Sequence, residues 1–356
     1  MRKMQDYIVK GKKVFVGLED SKRSWKLTVR SERMVVHEPT MPTVYENLVN
    51  YLKGRYPGCE IKLMYEAGFG GFWLHDRLEA DGIDCIVTPP SKVTDEKVNK
   101  VKVDRKDARR LAKTLENEDY KSCFVPDKEL REDRQISRAL VAVQKDITAW
   151  MNRVRKFFDF HGLNGLFPSG EWKISDYKRS RKVQLSEPLQ VTLGIYFSII
   201  DSLNNHKKAL KRRLYALRNK DRYRKTFELF ESAPGVGWLT AIRLVLEWGD
   251  RIKERFKTGK QIACFTGLTS SEYSTGEEVR RGRITGQSRG FIRQWLVQCA
   301  WAAIRKDPVL LEKYNRVWRN SSSKKKAIVA VARKLAVRLW RLAVMDQPYC
   351  IGLVET

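Results

Sequence analysis

β-branched and aromatic residues crowd two stretches near the start of the chain, residues 14 to 18 (Val-Phe-Val-Gly-Leu) and 25 to 30 (Trp-Lys-Leu-Thr-Val-Arg). The polar turn between them predicts a hairpin. A third strand is expected near Val35, a helix from Tyr45 to Leu52, and a short apolar strand from Ile61 to Tyr65. Helical spacing returns from Phe72 to Ala80, and a strand from Cys85 to Thr88 is stopped by Pro89-Pro90. Strands that open antiparallel and then alternate with helices imply a mixed sheet in an α/β domain.

From Ile136 the period changes. Ile136, Leu140, Val143, Ile147, Trp150, Val154 and Phe157 recur at alternating steps of four and three. Leu189, Leu193, Tyr196, Ile200, Leu203, Lys207, Leu210, Leu214 and Leu217 do the same. This is heptad spacing in both segments. The Gly/Pro/Ser-bearing stretch 161 to 188 joins them, giving either an antiparallel helical hairpin or a coiled coil that also pairs subunits. Lys207 interrupts the second stripe. Beyond Glu231 the chain reads as helical with Gly-rich interruptions, closing on an amphipathic helix from Lys324 to Met345 with Ile328, Val331, Leu335, Leu339 and Leu342 on one side.

At 356 residues the chain has room for two or three domains, at about 150 residues each. Lysine and arginine total 70 against 42 acids, a net charge of +28 with a pI near 9.9. A polyanion is the expected partner, nucleic acid before a membrane surface. No apolar run has the length of a spanning helix, and the N-terminus lacks an apolar signal core. The six cysteines form no CxxC pair, so neither a zinc knuckle nor a disulfide frame is indicated, and the protein reads as intracellular. None of the four histidines stands beside a plausible nucleophile in sequence.

In so cationic a chain, grouped carboxylates are informative. Glu19 ends an apolar run, Glu66 ends a later strand, and Asp104 and Asp107 stand three apart at a helix start. Strand ends converging on a helix start can surround divalent metal, and two such ions about 3.5 to 4 Å apart serve phosphodiester chemistry. The arrangement resembles the RNase H-like nuclease fold. Singly, each acid has a plainer reading: Asp104 as a helix N-cap, Asp107 as a partner of Arg110, Glu66 as a turn residue.

Pro234-Gly235-Val236-Gly237 reads as the turn of a helix-hairpin-helix, where Gly235 and Gly237 would let backbone N–H groups approach a phosphate, or simply as a tight interhelical turn. Lys324, Lys325 and Lys326 sit at a helix start, where the dipole disfavours cations, which hints at phosphate contact against the plainer reading of a solvated run. Trp295, Trp301, Arg305, Trp318 and Arg319 could stack bases, but at helical spacing they read as core.

The segments VFVGLEDSKRSWKL, YEAGFGGFWLHDRLEADGIDCIVTPPSKV and VDRKDARRLAKTL, followed by SAPGVGWLTA and CFTGLTSSEYSTGEEVRRGRITGQSRGFIRQWLVQCAW, resemble the DEDD transposases of bacterial insertion sequences, relatives of the Piv DNA invertase. The resemblance implies a RuvC-like (RNase H-like) α/β domain over residues 1–130, a coiled-coil helical hairpin over 131–228 and a mainly α-helical C-terminal transposase domain over 229–356. It also implies a structured non-coding bridge RNA that pairs with donor and target DNA, and a homodimer or tetramer whose composite site joins the two end domains of different subunits. A bacterial, nucleoid-associated protein in the cytoplasm, acting without a membrane, is the matching expectation.

Carried over by position, the family's acids fall on Glu19, Glu66, Asp104 and Asp107, implied ligands of magnesium, with manganese as the alternative. Glutamate at the first position departs from the family's aspartate. Asp20 cannot simply replace it, because neighbouring strand residues face opposite sides. The family's serine lies in a Tyr-x-Ser-Gly word, and here Tyr273-Ser274-Thr275-Gly276 offers two hydroxyls, Thr275 at the strict spacing and Ser274 as the less hindered alcohol. Arg280, Arg281 and Arg283 follow closely and suit a scissile phosphate. A capping box of Ser274 with Glu277, opening a helix, is the structural alternative. The expected activity is therefore RNA-guided DNA recombination through a covalent phosphoester. The alternatives are a hydrolytic RuvC-like nuclease or an inactive nucleic-acid-binding descendant.

Overall fold

The computed structural model describes residues 11–90, 104–167, 172–275, 278–285 and 290–352. Two compact units divide the chain, Met1–Val125 and Pro126–Thr356.

In the first unit, β1 (Lys13–Asp20) pairs antiparallel with β2 (Trp25–Ser31), setting Val16 opposite Val29 and Glu19 opposite Lys26. β2 carries β3 (Met34–His37) and the two-residue β4 (Thr40–Met41), both antiparallel. α1 (Tyr45–Arg55) leads into β5 (Glu60–Glu66), parallel to β1, and α2 (Trp73–Ala80) leads into β6 (Asp84–Thr88), parallel to β5. α3 (Asp104–Glu116) follows. The sheet order is β3-β2-β1-β5-β6, with β4 attached to β2. Apart from the short β4, every one of these strands and the first two helices lies where the sequence placed them.

The period-two alternation of the strands splits the sheet's side chains between two faces. Val14, Val16, Leu18, Leu63 and Tyr65 pack with Leu48 and Leu52 of α1 and Leu74 and Leu78 of α2. On the other face Met64 meets Leu111 and Leu115 of α3, with Phe15 and Ile86 packed alongside.

The second unit begins with α4 (Lys128–Phe160), whose N-cap Asp127 accepts the Leu130 amide. A 3₁₀ turn (Asn164–Leu166) and α5 (Ile174–Ser180) precede α6 (Glu187–Leu217). The joining stretch is thus partly helical where sequence suggested only a linker. Its Asp176 carboxylate accepts the Lys173 amide at the start of α5, satisfying a donor that the first helical turn would otherwise leave open. The heptad stripes meet across the hairpin in two places. Val154, Phe157 and Phe158 of α4 join Leu193, Phe197 and Ile200 of α6 in one core, while Leu140 and Leu214 belong to another.

That second core gathers α7 (Asp221–Glu231), α8 (Trp238–Trp248), α9 (Ile252–Arg255) and α10 (Gly259–Phe265), then α11 (Gly290–Ala303), α12 (Pro308–Ser321) and α13 (Lys324–Met345). Between α10 and α11 stand β7 (Ser270–Thr275) and β8 (Glu278–Ile284), an antiparallel pair in a region read from sequence as helical. Glu247, 1% exposed, is held by two hydrogen bonds from Arg138, at 3.0 and 3.1 Å. Among the described residues no helix is long and apolar enough to cross a membrane.

Candidate active site

Gly17 fixes where α3 lies. A Cβ at this position would stand 2.1 Å from the Ala108 carbonyl oxygen and 2.4 Å from the Ala112 nitrogen, both backbone atoms. Only a residue without a side chain lets the helix approach the sheet so closely. The helix runs antiparallel to β1, because its far end is tied to the opposite end of the sheet: Glu116 accepts from Arg30 at 2.7 Å, and Arg30 pairs in register with Phe15. The start of α3 therefore meets the C-terminal ends of β1 and β5.

Glu19 lies two residues beyond Gly17 and so shares its face, the one covered by α3. The β1–β5 ladder sets Gly17 beside Met64 and Leu18 beside Tyr65, and one further step sets Glu19 beside Glu66. Asp107 joins them through Arg110, whose Nη2 is 2.9 Å from Glu66 Oε1 and 3.3 Å from Asp107 Oδ1. Both carboxylates are largely buried, with side-chain exposures of 24% and 18%. Asp104 opens α3 one turn ahead of Ala108; its side chain lies outside the described part. The plain reading of Asp107 as a partner of Arg110 is realised, and the same guanidinium links Asp107 to Glu66. Among the described residues, no group of three or more His, Cys, Asp or Glu is close enough to hold a metal ion as it stands.

Asp20 occupies the other face, as alternation requires. Its Oδ1 accepts the Trp25 indole N–H at 2.9 Å, and a Cβ on Gly70 would stand 2.4 Å from its Oδ2. Burial pushes its carboxyl above the usual aspartate range, with the Trp25 hydrogen bond opposing. A carboxylate so enclosed on the far side of the strand belongs to a different environment from Glu19.

In the second unit, Ser274 pairs with Val279 and Thr275 with Glu278 across the β7–β8 hairpin, while Tyr273 pairs with Arg280 and Glu272 with Arg281. The two hydroxyl positions and two of the three arginine positions therefore stand within one to three register steps. The side chains of Ser274, Thr275, Arg280 and Arg281 lie outside the described part, as do Gly276 and Glu277 altogether. Ser274 stands within a strand, so the alternative of a capping box opening a helix there does not hold. Arg283, which is exposed, lies further along, beside Ser271, whose hydroxyl donates to its carbonyl at 3.2 Å. A register shift between Ser270 and Glu272 accommodates Gly282, where a Cβ would fall 2.4 Å from Ser271 Oγ.

The Pro-Gly-Val-Gly turn joins α7 to α8. Gly235 has φ +81° and lies against α11, where a Cβ would be 2.4 Å from the Cys299 carbonyl oxygen. That glycine is required by packing as well as by backbone conformation. Gly237 differs: it is the N-cap of α8 with no side-chain cap, and nothing lies within 4 Å of where its Cβ would be, so the face of this helix start that would meet a ligand is open. Lys324, Lys325 and Lys326 are exposed on the first turn of α13, and Lys324 stands over the Trp318 ring at 5.7 Å.

The tryptophans divide. Trp295 is core, 7% exposed with Arg243 stacked on it at 3.8 Å. Trp301 and Trp318 are 41% and 42% exposed and flank Tyr314 at ring distances of 5.8 and 6.3 Å. Helical spacing alone had read all three tryptophans as core, and periodicity carries no signal that separates them.

Comparison with known proteins adds to this geometry. Residues 16–162 match a transposase family of the DEDD, IS110 type, and residues 227–315 match the family described as Transposase IS116/IS110/IS902. The first match contains all four acids and the second contains Gly235, Gly237 and the β7–β8 hairpin. A Sinorhizobium fredii protein, y4rJ, whose name assigns it as a transposase, is 25% identical over 92% of this chain and 91% of its own. The transposase for insertion sequence element IS1533 of Leptospira borgpetersenii is 26% identical over 67% of this chain and 70% of its own. The transposase for insertion sequence element IS1111A of Coxiella burnetii is 25% identical over 70% and 69%.

Proposed function

We propose that the chain is an insertion-sequence transposase of the IS110 family, whose models match residues 16–162 and 227–315, and that it cuts and rejoins DNA by attack of a hydroxyl from the β7–β8 hairpin, assisted by the acids of an RNase H-like first unit. The observation that carries this is that Glu19 and Glu66 stand at the C-terminal ends of neighbouring parallel strands on the sheet face covered by α3, with Asp107 of that helix tied to Glu66 through Arg110. The strand order, three antiparallel strands followed by two parallel ones across β1, supports the RNase H-like assignment.

Glu19, Glu66, Asp104 and Asp107 are the residues that would hold magnesium or manganese, since carboxylate oxygens are the donors these hard cations prefer. Bound there, the cation would offset charge on the phosphodiester as it reacts. Arg110 links Glu66, by a charge-assisted hydrogen bond, and Asp107, by an ion pair, and would have to share them with any ion that enters.

In the reaction, Oγ of Ser274, or Oγ1 of Thr275, forms a bond to phosphorus and one phosphodiester P–O bond breaks. The hydroxyl loses its proton and the departing sugar oxygen gains one. Rejoining is the reverse of this step with a different sugar hydroxyl. Arg280, Arg281 and Arg283 would bind the phosphate; Gly237 at the open start of α8, Gly235 in the turn before it, and Lys324, Lys325 and Lys326 would meet backbone phosphates nearby. A structured non-coding bridge RNA would select donor and target DNA by base pairing. The working particle would be a homodimer or tetramer in the bacterial cytoplasm, associated with the nucleoid, whose composite site combines the two units of different subunits.

The test is a protein–DNA adduct resistant to denaturation, formed on supercoiled donor DNA with magnesium and copurified RNA. We expect it to vanish in Ser274→Ala or in Thr275→Ala, identifying the nucleophile, while DNA binding is retained. An adduct persisting in the double variant refutes the assignment. Cleaved ends free of protein would favour hydrolysis by a RuvC-like nuclease.

A further inference from the structure

Between the start of α10 and the Arg333–Arg341 stretch of α13 lies a cavity of about 400 Å³, lined by Thr258, Gly259, Lys260, Arg333, Val337, Trp340 and Arg341. Its size is that of small-ligand sites, which run from roughly 300 to 1,000 Å³. Three of its seven lining residues are cations and none is an acid. Lys260 and Arg333 are exposed, and neither has an ion-pair partner among the described residues. Unpaired cations around a concave site in a chain of net charge +28 create a local field that favours an anion over any neutral ligand.

The cavity is more than a charged dent. Trp340 donates its indole N–H to the Phe256 carbonyl at 2.9 Å, which fixes the plane of the ring. Gly259 presses on Val337, where a Cβ would be 2.8 Å from Cγ1, so an apolar wall of valine and indole adjoins the cations. An oriented indole next to unpaired guanidinium and ammonium groups is the combination that takes an unpaired base on its ring and the adjoining phosphates on its rim. Duplex DNA presents no free base face and cannot use the indole.

We propose that this cavity binds a nucleotide of a single strand, the base against Trp340 and Val337 and the flanking phosphates at Lys260 and Arg333. The strand is either the guide RNA or a displaced DNA strand, which share this chemistry. The inference rests on the reading that the chain handles nucleic acid, and the cavity it assigns includes no residue of the β7–β8 hairpin in its lining.

The experiment measures binding of the full-length protein to a single-stranded RNA, a single-stranded DNA and a duplex DNA of one sequence, each across a salt series. Replacing Lys260 and Arg333 together by alanine should lower the log–log salt slope for single strands by about 1.4, at about 0.7 per phosphate contact. Trp340→Leu should weaken single-strand binding roughly five- to hundredfold and leave that slope unchanged. Arg333→Glu, at an exposed position that supports no core contact, keeps the test valid if the Trp340 variant fails to fold. Duplex binding should change less in every variant. Loss in the RNA arm alone names the guide, loss in the DNA arm alone names the displaced strand, and loss in both supports the shared site. Single-strand affinity and slope unchanged in the charge variants would overturn the proposal. The Ser274→Ala, Thr275→Ala double variant should lose the adduct and keep the slope, so failure of the chemical reading is visible separately.

Discussion

Replacing Gly17 by alanine should disable the chain without touching any acid. The new Cβ would sit 2.1 Å from the Ala108 oxygen and 2.4 Å from the Ala112 nitrogen, whereas ordinary contact begins near 3.4 Å. The helix must therefore back off by about 1 Å, and overfilling of this kind costs about 1–3 kcal/mol. Because the atoms in the way belong to the backbone, trimming Ala112 to glycine cannot relieve the strain. Asp107 and Arg110 ride on the same helix, so their separation from Glu66 and Glu19 changes by the same amount. A misplacement of about 1 Å at a reacting centre lowers rates roughly a hundredfold. The assay pairs amide hydrogen exchange across Asp104–Glu116 with the rate of adduct formation. We expect faster exchange and a rate reduced by about two orders of magnitude. Gly54→Ala is the matched control, since nothing lies within 4 Å of a Cβ there, and it should be neutral or slightly stabilising. Native exchange across α3 together with a native rate in Gly17→Ala would refute the reasoning that this close approach sets the acid site.

Two further outcomes follow from the second unit. Asp127 caps α4 and receives Arg222, whose guanidinium beside it holds its carboxyl down to about 2. A depressed carboxyl contributes stability that is present above the ordinary value near 3.8 and is lost as pH falls toward 2. Asp127→Asn should therefore flatten the acid limb of the unfolding curve between about pH 4 and pH 2, and an unchanged limb would exclude this contribution. Asp307 caps α12 and receives Arg338 at 2.8 Å and the Tyr349 hydroxyl, with Asp307 and Arg338 side chains 0% and 5% exposed. Asp307→Ala removes the carboxylate partner of a buried guanidinium and should cost about 3–5 kcal/mol in urea unfolding; a loss below about 1 kcal/mol would mean that the other contacts of Arg338, Tyr349 included, suffice.

The sequence was most legible where burial and periodicity coincide. Leu140, Ile147 and Val154 on α4, and Leu193, Ile200 and Leu214 on α6, are all buried as the heptads require. α13 begins and ends at Lys324 and Met345, as its stripe and flanking serine and aspartate suggest. The first unit's longer strands were equally readable, as in β1 and β2, where Val14, Val16 and Leu18 and Trp25, Leu27 and Val29 line one side. The β7–β8 pair was not, since Ser270–Thr275 and Glu278–Ile284 are mostly polar, with only Tyr273, Val279 and Ile284 as apolar or aromatic positions and no apolar alternation to mark a strand. α5 escaped notice because seven residues are too few to show a period. For the proposed acid site, resemblance alone supplied the residues, and strand alternation separates Glu19 from Asp20, which accepts from Trp25. The role of Gly17 and the bridging by Arg110 could not be foreseen, because both depend on which helix crosses which strand.

Helix α4 runs unbroken for 33 residues, a rod of about 50 Å at 1.5 Å per residue, and it is rooted in one core and finished in another. Such a rod behaves as a lever. A tilt of about 5° at the root would sweep the far end through about 4 Å. Inserting one residue midway would swing everything beyond it by about 100°, turning Phe158 away from α6. Whatever the far end grips, the spacing of Leu140 from Val154 sets its bearing.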